Sequence, residues 1–201
     1  MRNIPKPLGV LCLLAGLAAS GCGGGGSEAA PVAALAPSPA PAPSPTPAPP
    51  AQPGTRATCE LSNFQSEALA LVNAQRAAGA VCGAQSYPPA PALSWNNALT
   101  QASLVHSDDM AALNFFSHTG SSGSSAGQRA TAAGYIWSTW GENLAAGQPT
   151  VSVVVAGWIA SPGHCANLMQ AAFRDIGLAC VRGGASNTYS TYWTMTLGAQ
   201  R

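Results

Sequence analysis

The stretch from Gly23 to Gly54 constrains this chain most, because it consists almost entirely of Gly, Ala, Pro and Ser. Its alternating prolines, as in APSPAPAPSPTPAPP, favour an extended polyproline II conformation and leave no side chains that could build a core. We therefore assign residues 23–55 to a disordered tether, which spans several tens of ångströms at ~3 Å per residue. The folded part of the chain is therefore expected to be residues 56–201, which are enough for one domain with one hydrophobic core.

The first 22 residues have the pattern of a secretory signal. Arg2 and Lys6 precede an apolar stretch from Leu8 to Ala19, which is short of the ~20 residues that a membrane-spanning helix needs. The sequence AASGC is similar to a bacterial lipoprotein box, with Ala19 where leucine is most common, and it predicts acylation of Cys22. We expect an exported protein that is lipid-anchored in the bacterial cell envelope, facing the periplasm or the outside. Ordinary secretion is the alternative.

The charge of the domain excludes one large class of partner. Residues 56–201 contain six arginines, no lysine and six acidic residues, so the domain is close to neutral. Proteins that bind nucleic acids or anionic membranes through a charged face carry a basic excess. We therefore predict no nucleic-acid partner, and we expect a monomer whose membrane contact comes through the lipid anchor.

Four cysteines lie in the domain, and in an exported protein they predict two disulfides. They are Cys59, Cys82, Cys165 and Cys180. Three pairings are possible, and we favour Cys59–Cys82 with Cys165–Cys180, because each closes a short loop at one end of the domain. A zinc site built from all four is disfavoured, since no CxxC spacing is present.

Apolar spacing predicts about four helices. Helical periodicity indicates a first helix over 63–78 and a second over 94–114 with Ser94 as its N-cap. A short helix is predicted to end at Gly134, and a further one covers 150–161. The SPG sequence that follows is interpreted as a turn that ends this last helix.

Strand signals are concentrated near the C-terminus. Alternating runs at 172–181 and 188–199 are joined by the turn-rich sequence RGGASN and predict a hairpin. The earlier sequence GENLAAG is typical of a turn or a short strand. The predicted fold class is therefore α+β, a sandwich in which helices cover a small antiparallel sheet.

Seven segments of the domain resemble one family in sequence and in order. They are NAQRAAG, LSWNNAL, ASLVHSDDM, FFSHTG, GENLAAG, WIASPGHCANLM and FRDIGLAC. Together they resemble the bacterial branch of the CAP superfamily, also called the SCP domain, which groups cysteine-rich secretory proteins, antigen 5 and pathogenesis-related protein 1. The resemblance runs from about Phe64 to Leu197 and implies an α-β-α sandwich with a central cavity.

The resemblance also implies a metal site. Many members line the cavity with two histidines and two glutamates that can hold a divalent metal such as zinc. By motif, the implied metal ligands of this chain are His118 of FSHTG, Glu142 of GENLA and His164 of SPGHC. The second glutamate would lie three residues after Trp158, and Ser161 occupies that position instead.

The His and Glu residues allow more than one kind of chemistry. Two imidazoles and one carboxylate suit Zn²⁺, and three protein ligands with an open position are typical of a catalytic centre. A hydrogen-bonded cluster that organises the cavity without metal is one alternative, and proton transfer is another. Asn143 and Ser161 are predicted to line the cleft. His106 is a third candidate, although its apolar neighbours favour a histidine at the edge of the core with a local hydrogen bond.

The sequence leaves two functions open. One is a binding module whose cleft takes a lipid, a glycan or an envelope protein, as the family's links to lipid binding and cell-wall interaction imply. The other is a metal-dependent hydrolase of peptide or ester bonds. No GxSxG motif supports a serine hydrolase, and a disulfide is favoured over a nucleophilic Cys165. Six aromatic residues are available for a binding surface, although most are expected in the core: Tyr135, Trp137, Trp140, Trp158, Tyr192 and Trp193.

Overall fold

The structure is a computed structural model that describes residues 55–201. The predicted signal peptide, the acylation of Cys22 and the tether up to residue 54 lie outside the described residues. The helices are α1 (Phe64–Ala78), α2 (Asn97–Leu113), α3 (Ala126–Ala132), α4 (Val151–Ala160) and α5 (Pro162–Leu168). The strands are β1 (Ala80–Cys82), β2 (Gln85–Tyr87), β3 (Ser94–Trp95), β4 (Trp137–Ala146), β5 (Asp175–Arg182) and β6 (Thr191–Gln200). No helix within residues 55–201 is long and apolar enough to cross a bilayer.

Four strands form the central sheet in the order β3-β5-β6-β4. β5 and β6 pair antiparallel, which confirms the predicted hairpin. β4 pairs antiparallel with β6 on its other side, and β3 pairs parallel with β5. β1 and β2 form a separate antiparallel pair. The GENLAAG sequence, expected in a turn or short strand, lies almost entirely within the ten-residue strand β4.

Helices cover both faces of the sheet, which confirms the α+β sandwich. In β6 the eight residues from Thr191 to Gly198 are all buried, as expected of a strand with packing on both sides. α2 and α3 pack on one face around Leu99, Ala102, Ala130 and Tyr135. α1 and α4 contribute to the larger core on the other face, which includes Phe64, Val72, Val154, Trp158 and Trp193.

The N-cap of the second helix lies two residues later than predicted. Asn96 is its N-cap, because its side-chain oxygen accepts the backbone N–H groups of Ala98 and Leu99 at 2.9 and 3.2 Å. The predicted cap Ser94 instead pairs with Asp175 in the sheet. The tertiary pairing of β3 with β5 therefore sets where α2 starts.

A fifth helix replaces the turn expected at the SPG sequence. α4 ends at Ala160, and Ser161 is both the C-cap of α4 and the N-cap of α5. Pro162 occupies the first position of α5, where the missing N–H of proline removes no intrahelical bond. His164 and Cys165 therefore lie in a short helix, which gives them a fixed orientation.

A buried arginine holds the C-terminal end of α5. Arg76 of α1 is fully buried, and its guanidinium donates to backbone carbonyl oxygens only. The acceptors are Pro91 at 2.7 Å, Leu168 at 2.6 Å, Gln170 at 3.1 Å and Phe173 at 3.4 Å. Burial lowers the pKa of the Arg76 guanidinium. Because Leu168 is the last residue of α5, this arginine fixes where the helix ends and how the chain leaves it.

Two disulfides form, as predicted, but the favoured pairing is wrong. The bonds join Cys59 to Cys180 and Cys82 to Cys165. The segment before α1 runs beside β5, where Thr58 bridges Cys180, and this packing brings the ends of the domain together. Loop length alone cannot reveal such a tertiary contact. The two bonds span 121 and 83 residues and therefore restrict the unfolded chain more than short loops would.

Candidate functional site

The central part of β4 carries the GEN motif, and successive residues of a strand point to opposite faces of the sheet. Glu142 points towards α3, where its Oε2 accepts a hydrogen bond from Nη2 of Arg129 at 2.6 Å. Its Oε1 lies 2.8 Å from Nδ1 of His118, which follows α2 in a loop. The side chains of Arg129 and Glu142 are 5% and 2% exposed, so the ion pair is shielded from water.

The other two residues of the motif connect β4 to α5. A Cβ at Gly141 would lie 2.8 Å from the ring of Phe173, so only glycine allows this close approach. Asn143 donates to the backbone oxygen of His164 at 3.1 Å. Asn167 of α5 donates to the side chain of Asn143 at 3.0 Å and to the backbone oxygen of Glu142, also at 3.0 Å. The side chains of Asn143 and Asn167 thus hold α5, which carries His164, against β4, which carries Glu142.

His118 is oriented by the buried ion pair. Because a carboxylate only accepts hydrogen bonds, Nδ1 of His118 is the donor and Nε2 is the acceptor nitrogen of the neutral ring. The backbone oxygen of His118 also accepts from Nη2 of Arg129 at 3.2 Å. The side chain is nevertheless 62% exposed. His118 therefore presents a fixed imidazole to solvent.

His164 lies on the other side of the cleft, half-buried on α5. Burial lowers the pKa of its imidazole, and the nearby His118 lowers the pKa further, so the ring is neutral at pH 7. It lines a cavity of about 350 Å³ together with Ser161, Trp158, Phe116 and Tyr189. A second cavity, of about 430 Å³, contains His118, Glu142, Thr119, Ser125, Trp140 and Asn167. The site consequently has a polar half and an aromatic half.

His106 lies beneath the site and is completely buried, so it does not line the cleft as predicted. Its Nε2 donates to the backbone oxygen of Ser117 at 2.8 Å, next to His118, while Nδ1 has no partner. Burial lowers the pKa of this imidazole, against an opposing effect of Glu142. The local hydrogen bond was expected, but the residue belongs to the core and supports the loop that carries His118.

Another cavity of the described domain lies away from these residues. It has a volume of about 550 Å³ and lies between α2 and α3, lined mainly by small side chains and by Arg129. None of the three predicted metal ligands lines it. Its lining includes Gln101, Gln128 and Arg129 but no histidine or carboxylate, so we place the functional site at the two cavities that contain His118, Glu142 and His164.

The arrangement does not fit a three-ligand zinc centre. Within residues 55–201 no group of three His, Cys, Asp or Glu side chains is placed to hold a metal ion. The two oxygens of Glu142 are engaged by His118 and Arg129, and a fixed guanidinium charge lies 2.6 Å from the carboxylate.

Several residues of the site were not predicted. Arg129 gives no sequence signal, because an arginine in a short helical segment is ordinarily solvent-exposed. Asn167 lies in the family-like segment WIASPGHCANLM, which could have drawn attention to it. Phe116 and Tyr189 are 45% and 37% exposed and were not among the candidate aromatics. Of the six that were, four are buried in the core as expected, namely Tyr135, Trp158, Tyr192 and Trp193.

The solved structures that share the fold include two bacterial proteins. One is an extracellular protein containing an SCP domain from Bacillus anthracis str. Ames, with a TM-score of 0.55 and 24% identity over 67% of this chain and 40% of that one. The other is an outer surface protein from Borrelia burgdorferi, with a TM-score of 0.53 and 18% identity over 68% of this chain and 89% of that one. At these identities the likeness shows the fold alone.

Sequence comparison is more specific. The uncharacterized protein YkwD of Bacillus subtilis (strain 168) is 30% identical over 131 residues, which make up 65% of this chain and 48% of that protein. The chain thus matches about half the length of this relative. The family model described as CAP, cysteine-rich secretory protein family, matches residues 69–197. That match covers more than half of the chain, and the chain therefore belongs to the CAP family of cysteine-rich secretory proteins.

Proposed function

We propose that this protein is an exported binding module whose cleft takes an uncharged glycan of the cell envelope. The observation that carries the proposal is the exposed ring pair of Phe116 and Tyr189, with ring centroids 5.9 Å apart, at the cavity that contains His164. Exposed aromatic rings grouped beside a cavity are typical of a ligand-binding groove. Sugar rings present C–H faces that stack on aromatic rings and hydroxyl edges that need polar partners.

The polar half of the cleft supplies such partners. Thr119, Ser125 and Asn167 line the cavity of about 430 Å³ beside Trp140, which is 37% exposed. The charge of Glu142 is already balanced by Arg129. Aromatic walls with a few hydroxyl and amide groups, and no unbalanced charge, favour a neutral hydroxyl-rich ligand over an anionic headgroup. A lipid tail would gain little from this polar floor.

Export and anchoring belong to the same proposal. The signal pattern, Cys22 and the tether are features of an envelope protein. The two fold neighbours are described as an extracellular and an outer surface protein, which supports export of this chain as well. Expression in a bacterium followed by detergent phase separation tests the anchor. The wild-type chain should enter the detergent phase, and Cys22→Ala should leave it.

The glycan proposal is tested with the exported chain carrying Cys22→Ala, which removes the anchor. The probes are purified peptidoglycan, soluble N-acetylglucosamine oligomers and, for comparison, phospholipid vesicles. We expect binding to a glycan probe and at least about a tenfold loss with Phe116→Ala/Tyr189→Ala, because the stacking surface is gone. Val81→Ala, at an exposed apolar residue outside both cavities, is the matched control and should bind normally. Binding to vesicles alone, or glycan binding that survives the double substitution, contradicts the proposal.

One observation favours a second candidate, a hydrolase. His118 is held by Glu142 with its Nε2 free to accept a proton, which is the arrangement of a general base that activates water. A hydrolase should turn over ester or peptide substrates and lose that turnover in a folded His118→Ala variant. A binding module should show no turnover in either protein, so the assay separates the two functions.

A further inference from the structure

We propose that Arg129 is a built-in cation that makes this cleft exclude divalent metals. Its guanidinium lies at the carboxylate that the family resemblance assigns to a metal, 2.6 Å from Oε2 of Glu142. The inference concerns metal selectivity and does not depend on which ligand the cleft binds. It accounts for a site that keeps His118, Glu142 and His164 and yet assembles no three-ligand centre within the described residues.

The guanidinium is held from several sides. Nη1 of Arg129 donates to the backbone oxygen of Ser124 at 2.7 Å, and Nη2 donates to the backbone oxygen of His118 at 3.2 Å. α3 itself begins with a capping box in which Ser125 and Gln128 bond to each other's backbone N–H groups. The side chain of Arg129 is 5% exposed, so a metal that displaced it from Glu142 would also have to break these buried hydrogen bonds.

Charge explains why the guanidinium and a dication compete. The charges of Glu142 and Arg129 cancel each other, so the ion pair offers no net negative charge to a metal. A divalent ion at Oε2 of Glu142 would lie within a few ångströms of the guanidinium, where repulsion in a buried environment is strong. The second glutamate that the resemblance leads one to expect is Ser161 in this chain, so nothing at that position restores the missing charge.

The test is a zinc titration by calorimetry on the exported chain carrying Cys22→Ala. Five forms are compared: Arg129 intact, Arg129→Gln, Arg129→Lys, His118→Ala and Arg129→Gln/His118→Ala. We expect at least about a tenfold gain in zinc affinity in Arg129→Gln, because one carboxylate oxygen and one unit of negative charge are released. Arg129→Lys keeps the charge and should gain nothing. Zinc should also raise the melting temperature of Arg129→Gln but not that of the chain with Arg129 intact.

Two results would overturn the inference. One is stoichiometric, micromolar zinc binding by the chain with Arg129 intact that is lost on His118→Ala, because the guanidinium would then be no obstacle. The other is a folded Arg129→Gln protein whose zinc affinity is unchanged. Arg129→Met is the second variant should glutamine disrupt the fold, since it brings no polar group into the buried position. Loss of the gain in Arg129→Gln/His118→Ala would locate the released site in the cleft.

Discussion

Two of the arginines in residues 55–201 are buried, and they have different partners. Arg76 is fully enclosed and donates only to backbone carbonyl oxygens at the end of α5 and in the loops beside it. Arg129, 6% exposed, also donates to carbonyl oxygens, but its shortest bond goes to the carboxylate of Glu142. A buried arginine therefore fixes the path of the backbone at the end of α5, and another balances the charge of the carboxylate in the cleft.

The difference shows that burial alone does not identify a functional residue. An arginine bonded only to carbonyls satisfies acceptors that would otherwise lack partners, and its role is structural. An arginine bonded to a carboxylate beside a cavity decides which ligand charges that cavity accepts. Substitutions at Arg76 should accordingly change stability alone, whereas those at Arg129 should change stability less and ligand selectivity more.

The largest effect is expected from Arg76→Met. The substitution leaves four carbonyl oxygens without their donor and should lower the free energy of unfolding by about 4–5 kcal/mol. Urea unfolding followed by circular dichroism measures this. Arg174→Met is the matched control, because the exposed Arg174 donates to carbonyls in the same loop, and it should cost less than about 1 kcal/mol. Equal losses in the two variants would refute the special role of Arg76.

A somewhat smaller effect, about 4 kcal/mol, is expected when the Cys82–Cys165 bond is removed by Cys82→Ala/Cys165→Ala, because the bond closes a loop of 83 residues. This bond joins α5 to β1 and therefore acts on the same helix as Arg76. Together, the disulfide removal and Arg76→Met should lower the free energy of unfolding by less than the sum of the two separate losses, since both changes release α5. Arg129→Lys, on the far face of the sheet, should add to the disulfide loss without coupling. Unfolding free energies of the single and combined variants decide the matter.

Much of the fold was predictable because the signals are local. The helical spacing of apolar residues in α1 and the alternating pattern of β5 and β6 each depend on neighbouring residues. The motifs also identified His118 and Glu142, which the structure brings into contact. Local periodicity was sufficient wherever a single element had to bury one of its faces.

The rest depends on where distant segments meet. The pairing of Cys59 with Cys180 follows from the strip of chain that runs beside β5, and no loop-length argument contains that information. Arg129 in the sequence QRATAAG has the composition of an exposed helix, and only the position of β4 against α3 buries it. The polar residues of GENLAAG made the strand hard to predict. Their hydrogen-bond partners come from α5 and from the loop after α2, which are distant in sequence.

At the cleft, Glu142→Gln should lower the free energy of unfolding by about 2 kcal/mol, less than Arg76→Met, because the carbonyl bonds of Arg129 remain. The amide keeps the shape of the side chain but leaves a buried cation without its anion. Glu60→Gln breaks an ion pair in which both side chains are more than half exposed and should cost no more than about 0.5 kcal/mol. The comparison is made by urea unfolding at neutral pH, and similar costs for the two glutamates would show that the buried pair is not special.

The smallest effect is a loss of stability in mild acid that originates at the cleft. Burial lowers the pKa of His106 and of His164 below the value of about 6.5 expected in the unfolded chain. Below about pH 6.5 the unfolded state therefore binds protons that the native state does not, so the free energy of unfolding decreases as the pH is lowered. Above that pH both histidines are neutral in both states and do not make stability depend on pH. His106→Gln can still donate to Ser117 and should flatten the profile between about pH 5 and about pH 6.5, with the share of His164 left. Free energies of unfolding measured over that pH range provide the test. If the dependence on pH is identical in His106→Gln and in the wild type, Nδ1 of protonated His106 has a hydrogen-bond acceptor in the native state and the prediction is wrong.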